Sequence, residues 1–266
     1  MEVINRPDYT EKVKKLFGKG FIIALTGQRR VGKSFIMRQV IKELSQDSAA
    51  HVIYIDKDNE EFSFVQSHEE LTKYVKSNLL SNKRNYLFVD EIQNIKEFEV
   101  SLRSFHTNDE CEMVITGSNA KMLSSELSTY LSGRCVEYHI QSLDYREFLT
   151  FHRLPDNSQS LHNYLKYGGL PQLHRIGLEE TELVDDYLKS VYHTIVLKDV
   201  IEREEIRNVP LLKNLIRFVG DNVGKVFSAS SIVKYLKSQQ VDSSTRVILN
   251  YLEYLCNAYI INRVNR

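Results

Sequence analysis

The chain has 266 residues, and its Lys plus Arg total of 35 equals its Asp plus Glu total, so overall charge points to neither a nucleic acid nor an acidic ligand. Three cysteines (Cys111, Cys135, Cys256) form no C-x-x-C pair and the eight histidines no H-E-x-x-H pattern, which argues against zinc and disulfides and for a reducing compartment. The opening Met1-Glu2-Val3-Ile4-Asn5-Arg6-Pro7-Asp8 lacks signal-peptide character, and no apolar run approaches the roughly 18 residues of a membrane span; a soluble, cytoplasmic protein without a membrane partner is expected.

The first strong element is the apolar run Phe21-Ile22-Ile23-Ala24-Leu25, expected as a buried strand. It leads into Gly27-Gln28-Arg29-Arg30-Val31-Gly32-Lys33-Ser34, a full G-x-x-x-x-G-K-[ST] match. A helix follows, with Phe35, Ile36, Val40, Ile41 and Leu44 at helical spacing. Backbone N–H groups at such a helix start converge on one concavity, where the helix dipole favours negative charge. Gly27 and Gly32 admit a phosphate closer than a Cβ would allow. Lys33 then reaches the β- and γ-phosphates, and the Ser34 hydroxyl ligates Mg²⁺. The pattern predicts a nucleoside triphosphate bound by residues 27–35.

Four further short apolar segments follow: His51–Asp56, Tyr86–Asp90, Glu112–Gly117 and Val136–Ile140. Helical stretches over Glu69–Leu80, Glu97–Phe105 and Ala120–Leu131 separate them, which predicts an α/β fold with a five-stranded parallel sheet covered on both faces. The segment Tyr86-Leu87-Phe88-Val89-Asp90-Glu91 ends in two acids, the form of a Walker B strand. Asp90 is expected to hold Mg²⁺ beside Ser34, and Glu91 to orient and deprotonate the attacking water. Gln93 either helps to position that water or is an exposed polar residue. Val114-Ile115-Thr116-Gly117-Ser118-Asn119 ends in small polar groups, and Arg134 lies between a helix and the fifth strand.

Beyond about Leu154 the strand signal disappears. Residues 160–207 read as helices broken at Gly168-Gly169-Leu170-Pro171 and near Gly177. Three more helices are expected over Leu211–Val219, Ser230–Ser238 and Ser243–Asn257, the last capped by Asp242 or Ser243, and then an extended end, Ala258–Val264. Residues 211–266 hold eight basic side chains against three acidic ones. Ser244, Thr245 and Arg246 stand at the exposed start of the third helix, with Lys234 and Lys237 nearby in sequence, an arrangement suited to a major groove and its phosphates.

These elements in this order resemble the prokaryotic AAA-type ATP-binding proteins, similar to the STAND and archaeal-type ATPases. The resemblance rests on the residue 27–34 loop, Asp90–Gln93, Thr116–Ser118, Leu131–Arg134, Leu143–Phe148, the Gly-Gly-Leu-Pro turn and Leu197–Val200. It implies a P-loop ATPase core over 1–154, an all-α lid over 155–208 and a winged-helix-like domain over 209–266. In such proteins Ser118 or Asn119 acts as sensor 1, on a strand lying between the P-loop and Walker B strands. Arg134 stands at the place of an arginine finger, in cis or in trans, and a trans finger implies a homo-oligomer. Pro171 packs on the adenine from the lid, and the Arg6-Pro7-Asp8-Tyr9 segment flanks it. The family pattern continues into a wing hairpin and a nuclease-like domain; this sequence stops at Arg266, where the wing hairpin is expected to begin, which suits a shortened or degenerate copy, and no nuclease activity is inferred.

The implied activity is Mg²⁺-dependent hydrolysis of ATP to ADP and phosphate in a nucleotide-controlled switch, with double-stranded DNA as a partner of the C-terminal helices. The alternatives are a DNA-binding regulator that senses ATP without turnover and a small-molecule P-loop kinase. The adjacent Asp90–Glu91 pair and the basic helical tail argue against the kinase.

Overall fold

The computed structural model describes residues 5–264 apart from 121–130 and 132. The helix expected over 120–131 therefore lies, except for its end residues, outside the described residues, as do Met1–Ile4, Asn265 and Arg266. By compactness the chain forms two units, 1–187 and 188–266.

In the first unit, five strands, β1 (Ile22–Thr26), β2 (Ala50–Asp56), β3 (Arg84–Asp90), β4 (Glu112–Gly117) and β5 (Cys135–His139), form one sheet in the order β2-β3-β4-β1-β5. All four pairings are parallel. β1 is buried throughout, as a strand covered on both faces must be. Its alternate residues serve opposite cores. Ile23 and Leu25 pack with Val13 of α1 (Pro7–Lys14) and with Ile36, Met37 and Val40 of α2 (Lys33–Leu44). Ile22 and Ala24 belong to the other core, with Leu71 and Val75 of α3 (His68–Asn78) and Leu102 and Phe105 of α4 (Phe98–Thr107). The period-2 alternation of the strand thus sorts side chains between two helix layers.

Local chemistry sets the helix ends. A Ser67–Glu70 capping box starts α3. The expected start of α4 at Glu97 is corrected to Phe98, because Glu97 has φ 52° and cannot lie inside a right-handed helix. Four helices follow β5: α5 (Tyr145–His152), α6 (Ser158–Tyr167), α7 (Leu173–Ile176) and α8 (Thr181–Thr194).

The second unit takes up the end of α8, a π-helical stretch (Ile195–Glu202) and three helices: α9 (Val209–Asp221), α10 (Ala229–Ser238) and α11 (Thr245–Asn257). Inside it, Leu211, Leu212, Leu215, Ile232, Leu236, Ile248 and Leu255 are buried. Ser244 caps α11 by accepting a hydrogen bond from the Val247 N–H, so neither Asp242 nor Ser243 holds that position. The extended end expected over 258–264 is also corrected. Tyr259 takes φ 56° and the Ile260 N–H reaches back to the Leu255 carbonyl, the Schellman closure of a helix. No strand occurs in this unit among the described residues.

Candidate functional site

The sheet order brings the loop after β1 together with the ends of β3 and β4. β4 lies between β1 and β3, as the resemblance implied. Gly27 has φ 136°, and a Cβ there would stand 2.3 Å from the Ile140 carbonyl oxygen, so the loop leaves the sheet along a path only glycine fits. Lys33 opens α2, is 4 % exposed, and turns its ammonium back under the loop to donate to the carbonyls of Gly27 (2.9 Å) and Gln28 (3.0 Å). The loop and helix start thus enclose a positive charge at the mouth of an N-terminal dipole, a setting for an anion.

Asp90 ends β3 and Glu91 follows in the left-handed region, φ 53°, which turns the two carboxylates apart. Thr116 ties them together: its hydroxyl donates to Asp90 and accepts from the Glu91 N–H at 2.9 Å. Glu91 further accepts from Ser118 (3.0 Å) and from the Gln93 amide, and its carboxylate stands 3.9 Å from Lys33. Gln93 also donates to Ser118, at 3.3 Å. Gln93 is therefore half-buried and bonded to the acid, not an exposed polar residue. Ser118 and Asn119 are both buried, and Ser118 touches the acid.

Environment drives the adjacent acids in opposite directions. Burial is the larger influence on Asp90 and raises its pKa, against hydrogen bonds from Thr116 and Ser34, with the charges of Glu91 and Asp56 adding to the rise. Burial also opposes ionisation of Glu91, yet Lys33, Gln93, Arg29 and Ser118 together hold it below the usual carboxylate range. A hydroxyl from Ser34 and a carboxylate from Asp90 make an oxygen-only donor pair, which fits a hard divalent cation that keeps most of its waters.

Beside the loop lies a cavity of about 130 Å³ lined by Arg6, Arg30, Gly32, Phe35, Pro171 and Tyr187, among others. The expected Arg6, Phe35 and Pro171 thus share one wall system with the loop glycine, although 165 residues separate the outer two. The Pro171 ring comes within 3.8 Å of where a Gly32 Cβ would be. Its turn is pinned by Gly169, whose carbonyl accepts from the Leu143 N–H at 2.7 Å; a Cβ on Gly169 would meet the Leu143 carbonyl oxygen at 2.1 Å. Arg6 is 5 % exposed and its guanidinium is committed elsewhere: a bidentate pair with Glu147 (2.7 and 2.8 Å) and donation to the carbonyls of Val31 and Gln141. It braces the loop rather than offering a free charge.

Other expected residues do not join this site. Arg134 is exposed and precedes β5, where its carbonyl accepts from the N–H of Ile22, the first residue of β1. That is the opposite end of the strand from Gly27. Lys234, Lys237, Ser244, Thr245 and Arg246 are exposed on the second unit. Sequence reasoning missed Thr116 as the bridge between the acids and Gln39, Phe151, His174 and Tyr187 as cavity walls; Gln39, three and four residues beyond Ile36 and Phe35, was within reach of helical spacing alone. Among the described residues no group of three or more His, Cys, Asp or Glu is placed to hold a metal, and no helix is long and apolar enough to cross a membrane.

Residues 19–149 match the family described as "AAA domain", and residues 158–266 match a "Domain of unknown function" family. An uncharacterized protein of Haemophilus influenzae is 30% identical over 271 residues, covering 99% of this chain and 67% of that protein. One of Methanocaldococcus jannaschii is 30% identical over 257 residues, covering 92% of this chain and 56% of that protein. Similar solved structures include the Aeropyrum pernix ORC1 protein in complex with DNA (12% identical, 97% of this chain and 85% of that chain, TM-score 0.48). The S. cerevisiae Hsp104-ADP complex is 15% identical over 97% of this chain and 39% of that chain, TM-score 0.48. Both structural likenesses are loose. With its loop, paired acids and AAA domain in place, the chain belongs to the family of the Haemophilus influenzae protein and is a P-loop, AAA-type protein.

Proposed function

We propose that the chain binds ATP with Mg²⁺ and hydrolyses it to ADP and phosphate. The carrying observation is Glu91, a buried carboxylate kept ionised between Lys33, Gln93 and Ser118. The loop amides and Lys33 grip the phosphates, and Ser34 and Asp90 would hold Mg²⁺, which neutralises charge building on the phosphate oxygens. Glu91 orients a water and takes its proton as the water oxygen bonds to the γ-phosphorus. The bond from that phosphorus to the bridging oxygen breaks, and ADP leaves with the electron pair. Gln93 and Ser118 hold the Glu91 carboxylate in one orientation.

Glu91→Gln is expected to retain ATP binding and to lose phosphate release by about 10²–10⁴-fold. Undiminished turnover in that variant would remove Glu91 from the chemistry. Arg134, exposed at the far end of β1 from the loop, serves as a finger in this reading only from a second copy of the chain. Turnover per chain that rises with protein concentration, and no longer does so in Arg134→Ala, is the expected signature. Nucleotide state is then read out by the helices beyond residue 155, which shift on hydrolysis as a switch.

Contact with double-stranded DNA is a further part of the proposal. It is supported by the exposed Thr245 and Arg246 in the first turn of α11 and by Lys234 and Lys237 on α10, as a winged-helix-type domain would present them. Salt-dependent binding of a duplex by the whole chain tests it, and binding without ATP turnover would favour the sensing regulator.

A further inference from the structure

Phe151 and His174 line a second cavity as well as the one beside the loop. It measures about 330 Å³, the lower end of small-molecule sites. The end of α5 brings His152, Arg153 and Leu154 to its wall, and the turn after α7 brings Gly177, Leu178 and Glu179. Two of its imidazoles have unmet hydrogen-bonding capacity. His152 Nε2 and His174 Nδ1 are buried and lack a partner, which native proteins seldom allow. Phe148 and Phe151 hold those rings, with centroids at 4.3 and 5.8 Å. Burial lowers the pKa of both, with the charge of His174 adding to the effect on His152, so each is neutral at pH 7 and able to accept or donate according to its tautomer. Charges of both signs surround them: Arg175 and Arg153 act on His174, and Glu179 acts on His152. At Gly177, φ 88° and the missing Cβ leave room for the Glu179 carboxylate to fold back against the turn. Arg153 and Glu179 are exposed, whereas Phe151, Leu154 and Leu178 are half-buried apolar walls.

A metal ion suits this lining poorly, since two imidazoles supply two ligands and, among the described residues, no group of three His, Cys, Asp or Glu is placed to hold one. A simple anion would meet the Glu179 carboxylate, and a simple cation the Arg153 guanidinium. A molecule carrying both charges meets both partners. We propose that this second cavity binds a free α-amino acid with an apolar side chain and is an effector site for the nucleotide site. The carboxylate pairs with Arg153 and His174, the ammonium group with Glu179 and His152, and the side chain lies along Phe151, Leu154 and Leu178. Because Phe151 and His174 belong to both cavities, filling one changes the walls of the other. Binding stands on this cavity alone, and the coupling rests on the nucleotide-binding reading of the loop.

The test is calorimetric titration of the full chain with L-leucine, L-methionine and L-phenylalanine. Each is compared with its counterpart lacking the amino group and its counterpart lacking the carboxylate (isocaproate and isoamylamine for leucine), and Zn²⁺ is titrated separately. At least one amino acid is expected to bind about tenfold or more tightly than either counterpart. Glu179→Gln should lose that factor for the amino acid but not for the deaminated counterpart, and Arg153→Gln should lose it for the amino acid but not for the amine. Circular dichroism melts check that each variant is folded. Saturating amino acid should shift the ATP dissociation constant by about fivefold or more, and ATP should shift that of the amino acid by the same factor. Uptake of none of the three, equal binding of the counterparts, a preference that persists in folded Glu179→Gln, or stoichiometric Zn²⁺ binding that excludes the amino acid overturns the site. An ATP affinity unmoved by saturating amino acid overturns the effector role. If folded protein binds the amino acid but no ATP, the nucleotide reading fails and the coupling with it, while the site stands.

Discussion

In residues 5–187 most of the buried polar side chains gather at one end of the sheet and beside it, among them Lys33, Asp90, Glu91, Thr116, Ser118, Asn119 and Gln39, while Ser101 and Ser160 lie on helices elsewhere. In residues 188–264 the buried charged side chain is Asp199, ion-paired to Arg203 at 3.3 Å, and the residues proposed to contact DNA all lie exposed. The contrast is energetic. Charges taken out of water cost several kcal/mol each unless neighbours compensate them, so Lys33 and Glu91 persist because each offsets the other. Surface lysines and arginines cost almost nothing, and their pattern is correspondingly weak evidence for a ligand.

The largest effect that would sharpen this contrast is expected from Lys33→Met. Turnover should fall by at least about 10²-fold, as for loss of a central charge-stabilising donor. If turnover persisted, the buried ammonium would have no part in phosphate chemistry. Next comes Arg6→Ala, which leaves Glu147 without its bidentate partner and strips donors from the carbonyls of Val31 and Gln141. A loss of roughly 3 kcal/mol in urea unfolding is expected. A loss below about 0.5 kcal/mol would show that the brace is redundant.

A smaller effect concerns pH. Burial, with the charge of nearby His174 adding to it, lowers the pKa of His152 from 6.5 to about 4. Between those values the unfolded chain binds the proton that the folded chain refuses, so stability falls as pH drops from 6.5 towards 4. His152→Gln should flatten that part of the stability profile, and an unchanged slope would assign the loss to other groups. The smallest effect is expected from Arg246→Ala with Lys234→Ala: folding stability within about 0.5 kcal/mol of wild type, and a shallower salt dependence of duplex binding. A large stability loss would break the comparison, since it would show those side chains to be structural.

Much of this was legible before the fold was known, wherever the signal was local. The residue 27–34 loop, the acids after β3 and the five strands each announce themselves within a few residues. Long-range placement was not legible. Tyr187 and Gln39 meet at one cavity only because α8 and α2 do, and Thr116 bridges the acids only because β4 pairs with β3. Arg6 was visible as a charge, but its engagement by Glu147, 141 residues away, was not. Backbone states were the other blind spot: Glu97 and Tyr259 adopt positive φ although neither is glycine or asparagine.

The walls of the cavity beside the loop come from positions as far apart as Arg6 and Tyr187, so a ligand lodged there ties together nearly the whole span of the first unit. Any such ligand favours the folded over the unfolded chain by mass action, by about 2.7 kcal/mol at a hundredfold excess over its dissociation constant. Under the proposed ATP reading, the nucleotide supply also guards the chain against proteases, and a starved cell is expected to clear it faster than a fed one.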